Sequence, residues 1–238
     1  MEVYNGTGKT KTGELRISRA IGGLLLRSTL GVHELTNEKI TIFIEGANGD
    51  NTEICSNISL KHFVLGGTFG HSLIQTNTGA TPKIGMSALC EIAQEGSIVL
   101  GADESIKVSL TDIKSAQTYE IYGLEYPQAA TSISSLVRKT ILSDETEKTY
   151  NVQGRDLLML DSENVQNIEF TFSNGVRTKY SLIELQAIAF DVEGVISADA
   201  GGNVSTDTGS VLMLPLDDVL SIDIEKATGT VELTLISF

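Results

Sequence analysis

The chain has 238 residues and a formal net charge of −14, from 17 basic and 31 acidic side chains. Hydrophobic residues make up 41% of it and charged residues 20%, which is typical of a globular protein and excludes the disordered class. The longest apolar run, residues 20–26, is too short for a transmembrane helix, and we expect no signal peptide. A pI near 4.6 argues against general nucleic-acid binding, so we expect no specific nucleic-acid partner.

Positive charge is concentrated in the first part of the chain. Residues 1–27 hold five lysines and arginines against two glutamates, a net charge of +3 in an otherwise acidic sequence. Glycines and threonines are frequent in residues 1–13, where Val3 and Tyr4 are the only larger apolar side chains after Met1. This composition predicts an N-terminal arm outside the core or, alternatively, an ordinary frayed terminus.

Many short segments alternate between apolar and polar residues with a period of two, as half-buried β-strands do. Turn signals separate them. The alternating segments are residues 15–18, 40–45, 106–110, 168–172, 220–224 and 231–235, and the turn signals are Asn48-Gly49, Asn174-Gly175, Gly201-Gly202 and residues 227–229. The pattern predicts a mostly β protein.

Three short segments have helical spacing instead. In residues 59–65 the apolar side chains recur at i, i+3 and i+4. Ser181 and Glu184 have the spacing of a capping box, and the apolar run that follows them predicts a short helix. Residues 131–138 form the third segment, with three apolar side chains on one side.

The order of these elements occurs twice. A strand, an Asn-Gly turn, a second strand and a helix closed by glycine occupy residues 39–70 and again residues 167–194. The later part of each copy also matches, from residues 96–100 and 209–213 through paired acidic residues to two further strands. Two copies of one β-rich unit explain this order better than one irregular sandwich, with chance similarity between β segments as the alternative.

A unit of about eight short strands with one helix in a connection fits a jelly roll. We therefore predict an all-β fold with two tandem eight-stranded jelly rolls and short helices in the connections. The predicted organisation is an N-terminal arm at residues 1–13, a first jelly roll at 14–126, a linker with a short helix at 127–143, and a second jelly roll at 144–238.

The sequence offers no constellation for catalysis. The histidines His33, His62 and His71 have no spacing that suggests a zinc site or a catalytic triad, and we expect them at a surface or interface. No phosphate-binding or dinucleotide motif is present. Cys55 and Cys90 are predicted to be buried free thiols of a protein made in a reducing cytoplasm. We thus predict no enzyme activity and no catalytic or cofactor-binding residues.

Acidic side chains recur in predicted turns. They lack the register of an EF-hand, so solvated turns are the plain interpretation. The alternative is a structural calcium ion bound between subunits. Carboxylates that come close together when subunits assemble have to be neutralised, and a divalent cation would do this. The sequence does not assign the ligands of such an ion. The groups are Asp50 with Glu53, Asp103 with Glu104, Asp144 and Glu145 with Glu147, Asp161 with Glu163, and Asp217 with Asp218.

The duplicated unit and the segment EKITIFIEGANGDNTEICSNISLKHFVLGGTFG at residues 38–70 resemble the double jelly-roll major capsid proteins of tailless icosahedral bacteriophages with an internal membrane, the corticovirus-like group. The resemblance implies two upright barrels per subunit, homotrimers with a pseudo-hexagonal outline, and a shell tiled from these trimers above the membrane. It also implies a protein made in the host cytoplasm and located in the virion capsid.

The resemblance further implies the partners. These are other copies of the chain, penton proteins, and minor capsid or membrane proteins. The basic arm would face anionic lipid headgroups or neighbouring trimers. Residues 22–26, Gly-Gly-Leu-Leu-Leu, are expected at a trimer interface or in a buried strand. Calcium binds some members of the group, but no ligand motif carries over.

Two other classes of protein compete with this interpretation. A tandem β-sandwich binding module, from a phage spike or an adhesin that recognises a surface glycan or receptor, explains the acidity and β content equally well. An enzyme on a jelly-roll scaffold is the other. A cupin needs clustered histidines and a glycan hydrolase needs aromatic platforms, whereas aromatic residues are only 5% of this chain and tryptophan is absent.

Overall fold

The computed structural model describes residues 1–70, 72–191, 197–198, 204–205 and 211–238. The chain forms two compact units, the first mainly from residues 1–136 and the second from residues 137–191 and 211–237. Each unit combines mainly antiparallel β-sheets with a short α-helix. None of the helices in these described ranges is long and apolar enough to cross a membrane.

The first unit contains most of the short strands. Its elements are β1 (Glu2–Gly6), β2 (Leu15–Ile17), β3 (Gly23–Ser28), a 3-10 turn (Val32–Glu34), β4 (Lys39–Glu45), β5 (Asn51–Ser59), α1 (Leu60–Thr68), β6 (Gln75–Asn77), β7 (Ile84–Glu91), β8 (Ala93–Gln94), β9 (Ser105–Thr111), β10 (Tyr119–Leu124) and β11 (Ser132–Ile133).

The later elements follow the same plan. They are β12 (Ser135–Ile141), β13 (Glu147–Asn151), β14 (Leu157–Asp161), β15 (Val165–Phe172), β16 (Arg177–Ser181), α2 (Leu182–Asp191), the short pair β17 (Ser197–Ala198) and β18 (Val204–Ser205), β19 (Val211–Pro215), β20 (Val219–Lys226) and β21 (Val231–Ser237).

Both units have the topology of a jelly roll. In the first, the strand order is β1-β10-β3-β7 in one sheet, with β6 added at the edge, and β2-β9-β4-β5 in the other. In the second, the orders are β12-β21-β14-β19 and β13-β20-β15-β16. If the eight main strands of each unit are counted along the chain, both units have the order 1-8-3-6 and 2-7-4-5, which is the paired Greek-key arrangement. The predicted fold class is confirmed.

Alternating side chains build the core of each unit. In β4, Ile40 and Ile42 are fully buried, while Thr41 between them is only half-buried. In β20, Ile222 and Ile224 are buried in the core of the second unit. Burying such branched side chains supplies the main driving force for the sheets to pack. Residues 22–26 lie largely in β3, so the strand alternative for that segment is confirmed.

The two helices occupy equivalent positions, directly after the fifth strand of each unit. The chain leaves α1 through Gly70, whose φ of +69° is open to glycine at little cost. At the start of α2, Glu184 accepts a hydrogen bond from the backbone N–H of Ser181 at 2.7 Å, which is the backward contact that the capping-box spacing predicts. The Ser181 hydroxyl also donates to Glu184 at 2.7 Å, in place of the predicted role as acceptor from the helix amide. The predicted helix end near Gly194 lies outside the described residues, as does the Gly201-Gly202 turn.

Two predictions of local structure are wrong. Residues 2–6 do not form an arm: they are β1, which pairs with β10 through Tyr4 opposite Ile121. Residues 131–138 form no helix, because β11 and the start of β12 occupy them. The first strand of the first unit therefore starts at residue 2, and strand β12 starts at residue 135, earlier than the predicted jelly-roll starts at 14 and 144.

The repeat was matched incorrectly at the sixth strand. The counterpart of β19 is β7, not residues 96–100. Residues 96–100 belong to no strand and contribute one isolated bridge, between Ser97 and Ala129, and Val99 is 70% exposed. A short apolar run has the same composition in a loop as in a strand, so periodicity alone could not separate the two.

Candidate functional site

The three histidines do not form a site. His33 lies exposed in the 3-10 turn, whereas His62 is buried in α1 with 1% of its surface exposed. The predicted position at a surface or interface is therefore wrong for His62, because its helix packs into the first unit. His71 lies outside the described residues. In the part of the chain that the structure describes, no three His, Cys, Asp or Glu side chains are grouped to hold a metal ion.

Both cysteines are buried free thiols, as predicted. Cys55 lies in β5 and Cys90 in β7. Burial raises the pKa of each thiol well above its ordinary value, because the thiolate would lose its hydration. A thiol in this state is a poor nucleophile and a poor metal ligand, so the two residues act as small apolar side chains.

Two of the acidic groups named from the sequence bind their own turns. Glu104 accepts the backbone N–H of Gly101 at 2.7 Å. Glu145 accepts the N–H of Leu142 at 2.8 Å and pairs with Lys148 at 2.6 Å, and these contacts lower the pKa of its carboxyl, the lysine having the larger effect. These contacts favour the interpretation as solvated turns at both places. Calcium between subunits stays a prediction.

Sequence reasoning missed a buried carboxylate, Glu38, directly before β4. Its side chain is completely buried. The carboxylate accepts the backbone N–H of Thr36 at 2.7 Å, that of Asn37 at 3.1 Å and the hydroxyl of Tyr119 at 3.3 Å, while Lys114 Nζ lies 3.4 Å away. Burial is the main cause that raises the pKa of Tyr119 to about 12, and the nearby carboxylate of Glu38 also raises it. The arrangement joins the turn before β4 to the loop before β10.

A basic loop connects β1 and β2. Lys9 and Lys11 are exposed, and neither forms an ion pair with a described residue. The loop backbone is held by hydrogen bonds from Gly8 N–H to the Ser115 carbonyl at 2.8 Å and from Thr12 N–H to the Leu110 carbonyl at 3.0 Å. The predicted positive charge is therefore carried by an anchored loop and not by a free arm.

The outer side of the second sheet of the second unit is polar in every row. We call it the polar face; its side chains are Glu147, Thr149, Asn151, Asn167, Glu169, Thr171, Arg177, Lys179, Ser181, Ser221, Asp223 and Glu225. Lys179 and Asn167 both donate hydrogen bonds to Glu225. These bonds lower the pKa of the Glu225 carboxyl, and the bond from Lys179 has the larger effect. Glu169 pairs with Arg177 at 3.4 Å.

Comparison with known proteins identifies the fold. No family model matches the chain, and no curated protein matches it in sequence. The major capsid protein P2 from bacteriophage PM2 superposes with a TM-score of 0.52 at 11% identity, over 99% of this chain and 93% of that one. The chain has the double jelly-roll fold. A chain from the atomic structure of Sulfolobus turreted icosahedral virus matches this double jelly roll equally, with a TM-score of 0.52 at 11% identity over 100% of this chain and 90% of that one.

Proposed function

We propose that this chain is a viral major capsid protein, which trimerises into pseudo-hexagonal capsomers and tiles an icosahedral shell over an internal membrane. The observation that carries the proposal is the pair of jelly rolls with one shared strand order within a single chain. Three such chains around a threefold axis present six similar barrels, which produces a nearly hexagonal outline suited to tiling. The end-to-end match to a bacteriophage capsid protein supports the same role.

The described side chains also suit a building block. The buried polar groups hold strands and turns in place, as Glu38 does, and the buried thiols have raised pKa values that suppress their reactivity. A tiling subunit needs stiff barrels whose contacts form only at intended faces. The partners proposed are other copies of the chain, penton proteins, and minor capsid or membrane proteins, with calcium as a structural ion between subunits.

The experiment is to determine the mass of the purified full-length chain by light scattering and to image it by electron microscopy. We expect three chains per particle and hexagonally packed arrays or closed shells, since obligate interfaces are extensive and partly apolar. A monomer at all concentrations that binds glycans on an array would instead establish the tandem binding module. Disruption of arrays by a chelator, with recovery on adding Ca²⁺, is the expected sign of the bridging ion.

A further inference from the structure

Two acidic residues are diagonal neighbours on adjacent strands of the polar face. Thr149 of β13 lies opposite Asp223 of β20, and Glu147 lies opposite Glu225. Glu147 and Asp223 are therefore diagonal neighbours on one side of the sheet, a separation that long side chains bridge. The strand register therefore places these two acidic side chains beside each other on the polar face.

The basic side chains of the polar face form ion pairs with acidic residues other than Glu147 and Asp223. Lys179 of β16 donates to Glu225, and Arg177 pairs with Glu169 of β15. On β13 itself, Lys148 points to the opposite side of the strand and pairs with Glu145. No ion pair to Glu147 or Asp223 is formed by any residue in the described ranges. The two groups therefore face each other without a positive charge of their own.

One oxygen of this pair lacks a donor. Oδ1 of Asp223 is buried and receives no hydrogen bond within the described part of the chain. A buried acceptor without a partner costs free energy, and more when it is charged. A proton on Glu147 would turn that carboxylate into an O–H donor able to bond to Asp223. We propose that Glu147 and Asp223 share one proton, and that this proton fastens the edge strand β13 to β20 in a pH-dependent way.

The direction of the pH effect follows from linkage. The hydrogen bond and the negative charge of Asp223 raise the pKa of Glu147 above its ordinary value of 4.5; Glu225 adds to this, and Lys179 opposes it. A carboxyl group whose pKa is raised by folding stabilises the fold fully below its unfolded pKa and loses that contribution as pH rises through its folded pKa. The contribution of this shared proton to the attachment of β13 is therefore largest in acid and is lost toward neutral pH.

The test is amide hydrogen exchange of the full-length chain at about pH 5 and about pH 8, with EDTA present so that no divalent cation replaces the proton. Protection of the β13 amides, corrected for intrinsic exchange, is compared with that of β16 at the other sheet edge. We expect wild-type protection in β13 to fall at the higher pH, by up to tenfold for each unit by which folding raises the pKa of Glu147.

Glu147→Gln is the decisive variant, because its amide N–H donates to Asp223 at either pH. We expect β13 protection in this variant to stay high and nearly independent of pH, and Asp223→Asn to remove the pH dependence as well. Glu163→Gln deletes one negative charge from an exposed turn and is expected to retain the wild-type pH dependence. The proposal is overturned if Glu147→Gln loses protection at the higher pH as the wild type does, or if the wild type shows no loss. The result is independent of the proposed capsid role.

Discussion

At the scale of single residues, the buried carboxylate of Glu38 organises the turn that leads into β4. Two backbone N–H groups, the Tyr119 hydroxyl and Lys114 all direct positive charge at it. Hydrogen bonds to a buried charge contribute more than those between neutral groups, and a donor left without its acceptor costs extra. The residue is thus expected to contribute strongly to the stability of the first unit.

We predict that Glu38→Gln lowers the free energy of unfolding of the first unit by about 2 kcal/mol, because the amide is neutral and one of its two polar atoms cannot accept. Urea denaturation followed by circular dichroism measures this. The control is Glu125→Gln, which removes an exposed partner of Arg19 and is expected to change stability little. Equal effects of the two substitutions would contradict the role assigned to Glu38.

Single residues also differ in how far the sequence predicts them. The contact between Ser181 and Glu184 was predictable because a capping box is local, spanning one helical turn. The burial of Glu38 was not, because its partner Tyr119 is 81 residues away along the chain. The same reason explains why His62 was expected at the surface: which side of a short helix is buried depends on strands far away in sequence.

At the scale of elements, helix α1 packs closely on strand β7. A Cβ atom added at Gly67 would lie 2.7 Å from Cys90 Cβ and 3.1 Å from its Cα. The helix therefore approaches the strand at a distance that only glycine permits, although glycine is a weak helix former.

We predict that Gly67→Ala destabilises the first unit by about 1–2 kcal/mol, because the cost of overpacking exceeds the gain in helix propensity. Thermal unfolding of the full-length chain measures the change. Gly79→Ala serves as control, since the nearest atom to its added Cβ is 3.7 Å away, and its effect is expected to stay within about 0.5 kcal/mol. If Gly67→Ala instead stabilises the protein, helix α1 can move away from strand β7 at little cost, and the prediction is contradicted.

Elements with clear alternation were predictable, and short ambiguous ones were not. In residues 131–138 the apolar side chains fit a helix by spacing. Strand β12, which overlaps the end of this segment, contains Val137, Thr140 and Ile141, whose branched side chains favour a strand. In β1, Val3 and Tyr4 are both only half-buried at a sheet edge. An edge strand buries little, so its sequence resembles that of a loop.

At the scale of the whole molecule, duplication was visible because each copy repeats the same turn and helix signals in the same order. Both Asn-Gly turns have glycine at φ +82°, at Gly49 and at Gly175, and each is followed by a strand and a helix. The pairing of the individual strands could not be obtained this way, because antiparallel partners in a jelly roll are mostly distant in sequence.

The surface charge of the whole molecule gives a prediction about membranes. Lys9 and Lys11 project from an anchored loop in an acidic protein, and each lysine contributes about 1 kcal/mol near an anionic bilayer. We expect Lys11→Gln to bind vesicles of phosphatidylserine and phosphatidylcholine about fivefold more weakly than wild type at low salt. Flotation measures this, with phosphatidylcholine vesicles as the uncharged comparison.

The control for this prediction is Lys139→Gln, which removes an exposed lysine from β12. If both variants bind as the wild type does, the loop does not contact lipid. If both lose affinity equally, attraction depends on total charge and not on this loop.

The pairing of β1 with β10 has a consequence for biosynthesis. Glu2 is matched with Tyr122, so β1 leaves the ribosome well before its partner strand has been translated. At about 5–20 residues per second that delay is on the order of ten seconds. During this interval the nascent chain carries unsatisfied strand edges, and molecular chaperones have time to bind it before the first barrel closes.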